Sequence, residues 1–411
     1  MREHPGAHYV GLDIGTSMVR CVVGMPDQHD PSRPSIIGHG SAANVGMRKG
    51  IVVHINDVVE AVAKAISEAE RVSGVSVHAA TVNVNGTHVS GVNSKGVIAI
   101  SSANREITTE DQFRVEEAAT IMQLPPNREI VQVFAKNYRL DGQDNIKDPV
   151  GMHGVRLEVD THIVTAATPN VRNLDLVLDK AQVQPSHHTV SSLAAAEAVL
   201  NRQQREAGTL LLDIGAGTTN LVVIEDGEVQ HVAVLPIGGM HITNDLAIGL
   251  KTDLDIAEAV KLQHARLDQE PKFKQLTVTV AKQDHRFDSH EVQMIAEARV
   301  EELLEFAEKE LKKIHRSRKL PGGVVITGGT AKLPGLAEFT KEKLQLASRI
   351  GQLQPVAGLL DTVNDPSFYP AVGLMLLDML LMPSHNFQAS KPAANVFGLV
   401  DGLLKRFKRP S

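Results

Sequence analysis

The chain has 411 residues, a length at which two or more domains are expected rather than one core. Its composition, 42% hydrophobic and 22% charged, is that of a soluble protein, and a net charge of −6 excludes a globally basic nucleic-acid binder. The one cysteine, Cys21, excludes intrachain disulfides and Cys-rich zinc sites and fits a reducing, cytoplasmic compartment.

Residues 8 to 24 read as two strands around a Gly-Thr turn. DVVEAVAKAISEAERVSG, residues 57 to 74, has apolar residues at helical spacing and a glycine stop. From about 82 to 165 short strands and Asn/Gly/Asp turns dominate, with one helix, TTEDQFRVEEAATIMQ, that Thr108 or Thr109 can cap. This stretch looks like a small α+β insertion. VRNLDLVLDKAQVQ and SSLAAAEAVLNRQQREAG read as helices, and residues 240 to 313 as mainly helical. GGVVITGGTAKLPGLAEF is strand, glycine turn, helix. AVGLMLLDMLLM, residues 371 to 382, is too short for a membrane span and carries Asp378, so it reads as a core helix. The N-terminus lacks the apolar stretch of a secretory signal.

Two hairpin tips share a pattern. LDIGTSMVRCVVG supplies Asp13, Gly15, Thr16 and Ser17. LLDIGAGTTNLVVI supplies Asp213, Gly215, Ala216, Gly217, Thr218, Thr219 and Asn220. Glycine lets a backbone approach phosphate and present its N–H groups, and hydroxyls add donors. A carboxylate cannot favour bare phosphate; its natural role is to hold hydrated Mg²⁺ that bridges phosphates. One such turn could be an ordinary glycine hairpin, whereas two suggest related half-domains facing one nucleotide. The later VVITGGTAKLPGL, with Gly328, Gly329 and Thr330, lacks the Lys-Ser/Thr of a P-loop and suits a base or ribose lying on the backbone.

These three turns together resemble the actin, sugar-kinase and DnaK-chaperone ATPase superfamily, and within it the FtsA family of actin-like bacterial cell-division proteins. The resemblance runs from Tyr9 to Phe407. Its most specific part is the insertion, where VNVNGTHVSGVNSKG and DGQDNIKDPVGMHGVRLEV look like the FtsA subdomain called 1C. The resemblance implies an α/β, actin-like (ribonuclease H-like) fold of two domains with a nucleotide cleft between them. Subdomain 1A would comprise residues 1–82, 166–207 and a return at 359–382, with the 1C-type insertion at 83–165. Subdomain 2A would comprise 208–239 and 313–358, and 2B residues 240–312.

By the same resemblance Gly15, Thr16 and Ser17 form the first phosphate loop, and Gly215 to Asn220 the second. Asp13 and Asp213 flank Mg²⁺ through water, and Gly328, Gly329 and Thr330 meet the adenosine of ATP. DIAEAVKLQHA is similar to the helix that offers Glu258 and Lys261 to the ribose, although a plain surface ion pair is the alternative. MreB places a water-orienting glutamate where this chain has Ser191, a poor base, so ATPase turnover is expected to be absent or very slow and no catalytic residue is assigned. Glu197 reads as decoration of the same helix.

Residues 383–394 have the composition of a flexible linker. In the tail, 395–411, Val396, Val400, Leu403, Leu404 and Phe407 fall on one helical stripe that Phe397 and Leu399 broaden. Lys405, Arg406, Lys408 and Arg409 cluster at its end. This fits a helix lying in an anionic membrane surface, the alternative being a helix docked on its own domain. The family resemblance implies self-assembly into filaments, tethering of the tubulin-like FtsZ to the membrane, and later division partners on the insertion. The FtsZ tail would dock on the 2B-like region, where Lys272 and Lys274 are candidates for an acidic peptide. The alternatives are a PilM-type pilus-assembly adaptor and a metabolite kinase, for which no catalytic aspartate stands out.

Overall fold

The computed structural model describes residues 8–27, 34–122, 124–268 and 274–381. The first domain opens with β1 (Tyr9–Ile14), β2 (Met18–Pro26) and β3 (Pro34–Ala43), then the two-residue strands β4 (Met47–Arg48) and β5 (Ile51–Val52), α1 (Ile55–Ser73) and β6 (Ala79–Val84). α1 buries Val58, Ala61, Val62, Ala65, Ile66 and Ala69, the stripe its spacing predicts, and stops at Gly74 in the left-handed region.

The inserted unit follows: β7 (Ser90–Ala99), α2 (Thr109–Thr120), β8 (Arg128–Leu140), β9 (Gln143–Ile146) and β10 (Arg156–Ala167). Of the two candidate caps for α2, Thr108 is the one used, in a reciprocal box with Asp111. The insertion has its own core, built on Ile107, Val115, Tyr138, Leu157 and Val159. The chain returns through α3 (Thr168–Lys180), β11 (Gln184–Val190), α4 (Ser191–Val199) and α5 (Arg202–Ala207). Two helical expectations are shortened here. α3 stops at Lys180 and Gln184 already belongs to β11; SSLAAAEAVLNRQQREAG is two helices, because Asn201 leaves the helix to cap α5 against Gln204.

The second domain comprises β12 (Thr209–Ile214), β13 (Thr219–Glu225), β14 (Glu228–Leu235), α6 (Gly239–Gly249), α7 (Leu254–His264), β15 (Gln275–Val280), β16 (Gln283–Asp288), α8 (Ser289–Lys313), β17 (Gly323–Thr327), α9 (Leu336–Leu344) and β18 (Ser348–Ile350). β19 (Ala357–Gly358), α10 (Leu360–Val363) and α11 (Tyr369–Leu381) carry the chain back to the first domain. α11 is buried from Tyr369 to Asp378, the core helix its composition suggests. Asp378 accepts hydrogen bonds from Val10 N at 3.0 Å and Thr81 Oγ1 at 2.7 Å, so its carboxylate ties α11 to β1 and β6.

Two large sheets share one plan. The first runs β11-β6-β1-β2-β3-β19, and the second includes β18-β17-β12-β13-β14. In each, an antiparallel trio (β1-β2-β3, β12-β13-β14) carries a parallel strand beside its first member, β6 beside β1 and β17 beside β12. β12 is buried at all six positions, which explains why it reads as an unbroken apolar run. The second sheet continues past β14 into the insertion as β7-β10-β8-β9.

Candidate functional site

The two hairpin tips are built alike. Asp13 lies opposite Arg20 and Asp213 opposite Asn220. Gly15 N donates to Met18 O at 3.0 Å, and Gly215 N to Thr218 O at 2.9 Å, closing equivalent turns. The turns meet face to face: a Cβ on Gly217 would lie 2.9 Å from the Thr16 side chain. Between the domains they bound a cavity of about 720 Å³.

Asp13, Gly15, Thr16, Ser17, Asp213, Gly215, Ala216, Thr218, Asn220, Glu258, Lys261, Gly328, Gly329 and Thr330 all line this cavity. Gly217 and Thr219 are not among its lining residues. Gly217 makes the close approach to Thr16, and the Thr219 hydroxyl donates to Ile237 O at 2.8 Å. Gly328 has φ +88°, and a Cβ there would sit 2.5 Å from Ile214 O, so only glycine fits. Thr330 Oγ1 donates to Gly215 O at 3.3 Å, joining the third turn to the second.

The buried carboxylates are the electrostatic centre. Burial pushes Asp13 up to about 6, with Arg20 opposing. Burial and the neighbouring Asp13 push Asp213 up to about 7, with the Asn220 hydrogen bond opposing. Each is held by an amide: Asn83 Nδ2 donates to Asp13 Oδ1 at 2.8 Å, and Asn220 Nδ2 to Asp213 Oδ2 at 3.1 Å. Among the described residues neither forms an ion pair. Two desolvated carboxylates that Arg20 offsets only in part form a site a cation would stabilise, and Mg²⁺, which takes few carboxylates and keeps its waters, fits them. No cluster of three potential metal ligands occurs among the described residues, so the rest of such a shell would come from water and ligand.

At the cavity's other end Lys261 Nζ donates to Glu258 Oε2 at 2.6 Å, to Thr243 Oγ1 at 2.8 Å and to Gly239 O at 3.3 Å. Glu258 and Lys261 are therefore an ion pair inside the cleft mouth rather than on a free surface. Ser191 is buried and accepts from Asn83 Nδ2 at 2.9 Å, outside the cavity lining. Glu197 corrects its reading as decoration: it is 5% exposed and paired with Arg205 at 2.9 Å, fastening α4 to α5.

Arg20, Asn44, Asn83, Asn85 and Thr243 are site residues the sequence reading did not single out. Asn44 Nδ2 donates to Gly15 O at 2.8 Å, and Asn85 Oδ1 accepts from Thr218 Oγ1 at 3.4 Å across the cleft. Thr81, Asn83 and Asn85 alternate along β6 and just past it, a polar face on an otherwise apolar strand that could have flagged them. Lys274 is exposed, and Lys272 lies outside the described residues. The linker 383–394 and the tail residues Val396 to Arg409 also lie outside them. No helix among the described residues is long and apolar enough to cross a membrane.

Two sheets of one topology, each sending a hairpin tip into a shared interdomain cleft, define the actin-like class. Solved structures agree on the fold. The PilM–PilN type IV pilus biogenesis complex aligns at TM-score 0.63 with 18% identity, covering 91% of this chain and 99% of that one. MreB 5 of Spiroplasma citri bound to AMPPNP aligns at 0.54 with 11% identity over 92% and 97%. The MamK double helical filament aligns at 0.51 with 14% identity over 90% and 98%.

Within that class the sequence places the chain. Residues 86–165 match the SHS2 domain inserted in FtsA, and residues 210–373 match the model of cell division protein FtsA. Cell division protein FtsA of Bacillus subtilis is 38% identical over 371 residues, 89% of this chain and 82% of that protein. The Pseudomonas aeruginosa relative is 33% identical over 90% and 89%, and that of Escherichia coli 30% over 89% and 89%. The chain belongs to the FtsA family of cell division proteins.

Proposed function

We propose that this FtsA-family protein holds Mg·ATP in the interdomain cleft, polymerises, and tethers FtsZ filaments to the cytoplasmic membrane through its C-terminal tail. The observation that carries the nucleotide reading is the convergence of Asp13 and Asp213, both buried and only partly offset by Arg20, between two matched turns. The MreB 5 neighbour bound to AMPPNP shares the fold and supports the same reading.

In this reading Gly15, Thr16 and Ser17 of the first turn and Gly215, Ala216 and Thr218 of the second receive the phosphates. Asp13 and Asp213 would hold the hydrated cation, which when bound would supply positive charge to neutralise the phosphates. Glu258 and Lys261 face the ribose, and Gly328 to Thr330 the adenosine. A nucleotide touching both domains acts as a clamp on their relative position. Binding is measured by titrating ATP into the full-length protein with and without magnesium.

Ser191, which stands at the water-orienting position of the resemblance, is turned to Asn83, and Glu197 on the same helix is held by Arg205. Turnover is therefore expected well below about 1 per second, the low end of ordinary enzymes. A phosphate-release assay on purified full-length protein checks this, and a rate at or above that value would be incompatible with the site.

The tail's four basic residues contribute on the order of 1 kcal/mol each near an anionic leaflet. One tail binds reversibly; a polymer carrying many binds by avidity. Full-length protein with Mg·ATP is expected to pellet with anionic vesicles, and a chain stopped at Ala394 is expected to stay in solution. Equal pelleting would assign lipid binding to another surface. FtsZ recruitment through the 2B-like region around Lys274, and later division proteins on the insertion, complete the proposal. The site of action is the inner face of the membrane at the division plane.

A further inference from the structure

The insertion meets the second domain edge to edge. β7 and β14 share one backbone bridge, Ser90 with Ala233. Beyond it, side chains from the insertion take over the exposed edge of the second domain's hairpin. His162 Nε2, on β10, accepts from Val232 N at 3.0 Å. Lys136 Nζ donates to Gln230 O at 3.3 Å, and Lys147 Nζ to Asp226 O at 2.7 Å.

His162 is 1% exposed, and both its ring nitrogens are committed. Nε2 accepts a backbone N–H, so the proton of the neutral ring is on Nδ1, which donates to Asn93 Oδ1 at 2.8 Å. Burial holds the ring neutral. The slot exists because residue 91 has no side chain: a Cβ on Gly91 would lie 2.3 Å from His162 Nε2. His231 of β14 packs edge-on against the ring, with centroids 5.5 Å apart.

The strand edge that His162 completes leads directly to the cleft. β14 pairs along its length with β13, and Leu235 lies opposite Thr219, the first strand residue after the second turn. At the insertion's other contact, Asn85 lines the cavity one residue before the inserted segment begins and receives the Thr218 hydroxyl. The second turn is therefore linked to the insertion through β14 and, through Asn85, to the residue that precedes it.

We propose that His162 is a positioning residue that couples the inserted unit to the nucleotide cleft, joining it to β14 by a side-chain contact. Side-chain hydrogen bonds and one backbone bridge hold this junction less firmly than a full backbone ladder would, so the docking can shift when the second turn moves. The proposal rests on the nucleotide reading of the cleft.

The test is hydrogen exchange of full-length protein with and without Mg·ATP, with ATP binding measured in parallel by calorimetry. Mg·ATP is expected to slow exchange across 90–99 and 156–167 in the wild type. His162→Asn, whose amide cannot reach Val232, and Gly91→Ala, which displaces the ring, are expected to lose that response while binding ATP normally. Without nucleotide, both speed exchange at Val232 by about fivefold, the factor one buried hydrogen bond contributes. His162→Gln, whose amide oxygen can stand where Nε2 stands, restores both readouts. No ATP binding by the wild type would overturn the nucleotide reading and the coupling with it. Normal binding with an insertion response equal in wild type and both lesion variants, or absent from all, would overturn the coupling alone.

Discussion

Asp213→Asn is expected to stabilise the nucleotide-free protein while abolishing magnesium-dependent ATP binding. The side chain is 5% exposed, and its charge is disfavoured both by burial and by Asp13 on the facing turn. Asparagine has the same shape and keeps an oxygen for Asn220 Nδ2, so the turn is retained. Removing a buried charge that Arg20 and Asn220 offset only in part should raise unfolding free energy by on the order of 2 kcal/mol. The same change removes one of the two groups proposed to hold the cation. Thermal unfolding and ATP titration on one preparation read the two effects. A fall in both stability and affinity would mean that the carboxylate is structural, and the cation assignment would fail.

Gly373→Ala is expected to be the most destabilising single-methyl change in the first domain. A Cβ at 373 would lie 1.7 Å from Ala194 O on α4, and one at Gly11 would lie 2.1 Å from Ala371 O. α11 is thus seated backbone to backbone between β1 and α4, and no side-chain rotation can relieve the added atom. Overpacking against rigid backbone costs about 3 kcal/mol or more, a midpoint lowered by roughly 6 °C or more. Glu60→Ala, on the exposed face of α1 in a surface pair with Lys64, serves as the control and should leave the midpoint essentially unchanged. Equal midpoints for the two variants would contradict the packing.

How much of this was legible in the sequence depends on whether a feature is local. The two phosphate-type hairpins are local: glycine, aspartate and hydroxyls at fixed offsets between apolar runs, and they fall where expected. Their mutual contact through Gly217 and Thr16 is not local, and residue spacing carries no trace of it. Asn83 and Asn85 reach the cleft from a strand whose partners are 70 and 133 residues away in sequence, at Asp13 and Thr218. Glu197 looked solvent-facing because Arg205 pairs with it only after the chain breaks at Asn201. The β15–β16 hairpin hid in a region read as mainly helical, since its turn places Ala281 and Lys282, not Asn-Gly, at positive φ. At the junction of insertion and second domain, His162 bonds Val232 from within β10, where nothing in the strand pattern marks it out.

The central claim is that the two turns jointly hold a magnesium nucleotide. Calorimetric titration of ATP into full-length protein, first with magnesium and then with EDTA, tests it most directly. Saturable binding that weakens at least about tenfold without magnesium, a difference of about 1.4 kcal/mol, is the predicted result. Binding of equal strength in EDTA, or none in either condition with the protein folded, would contradict it.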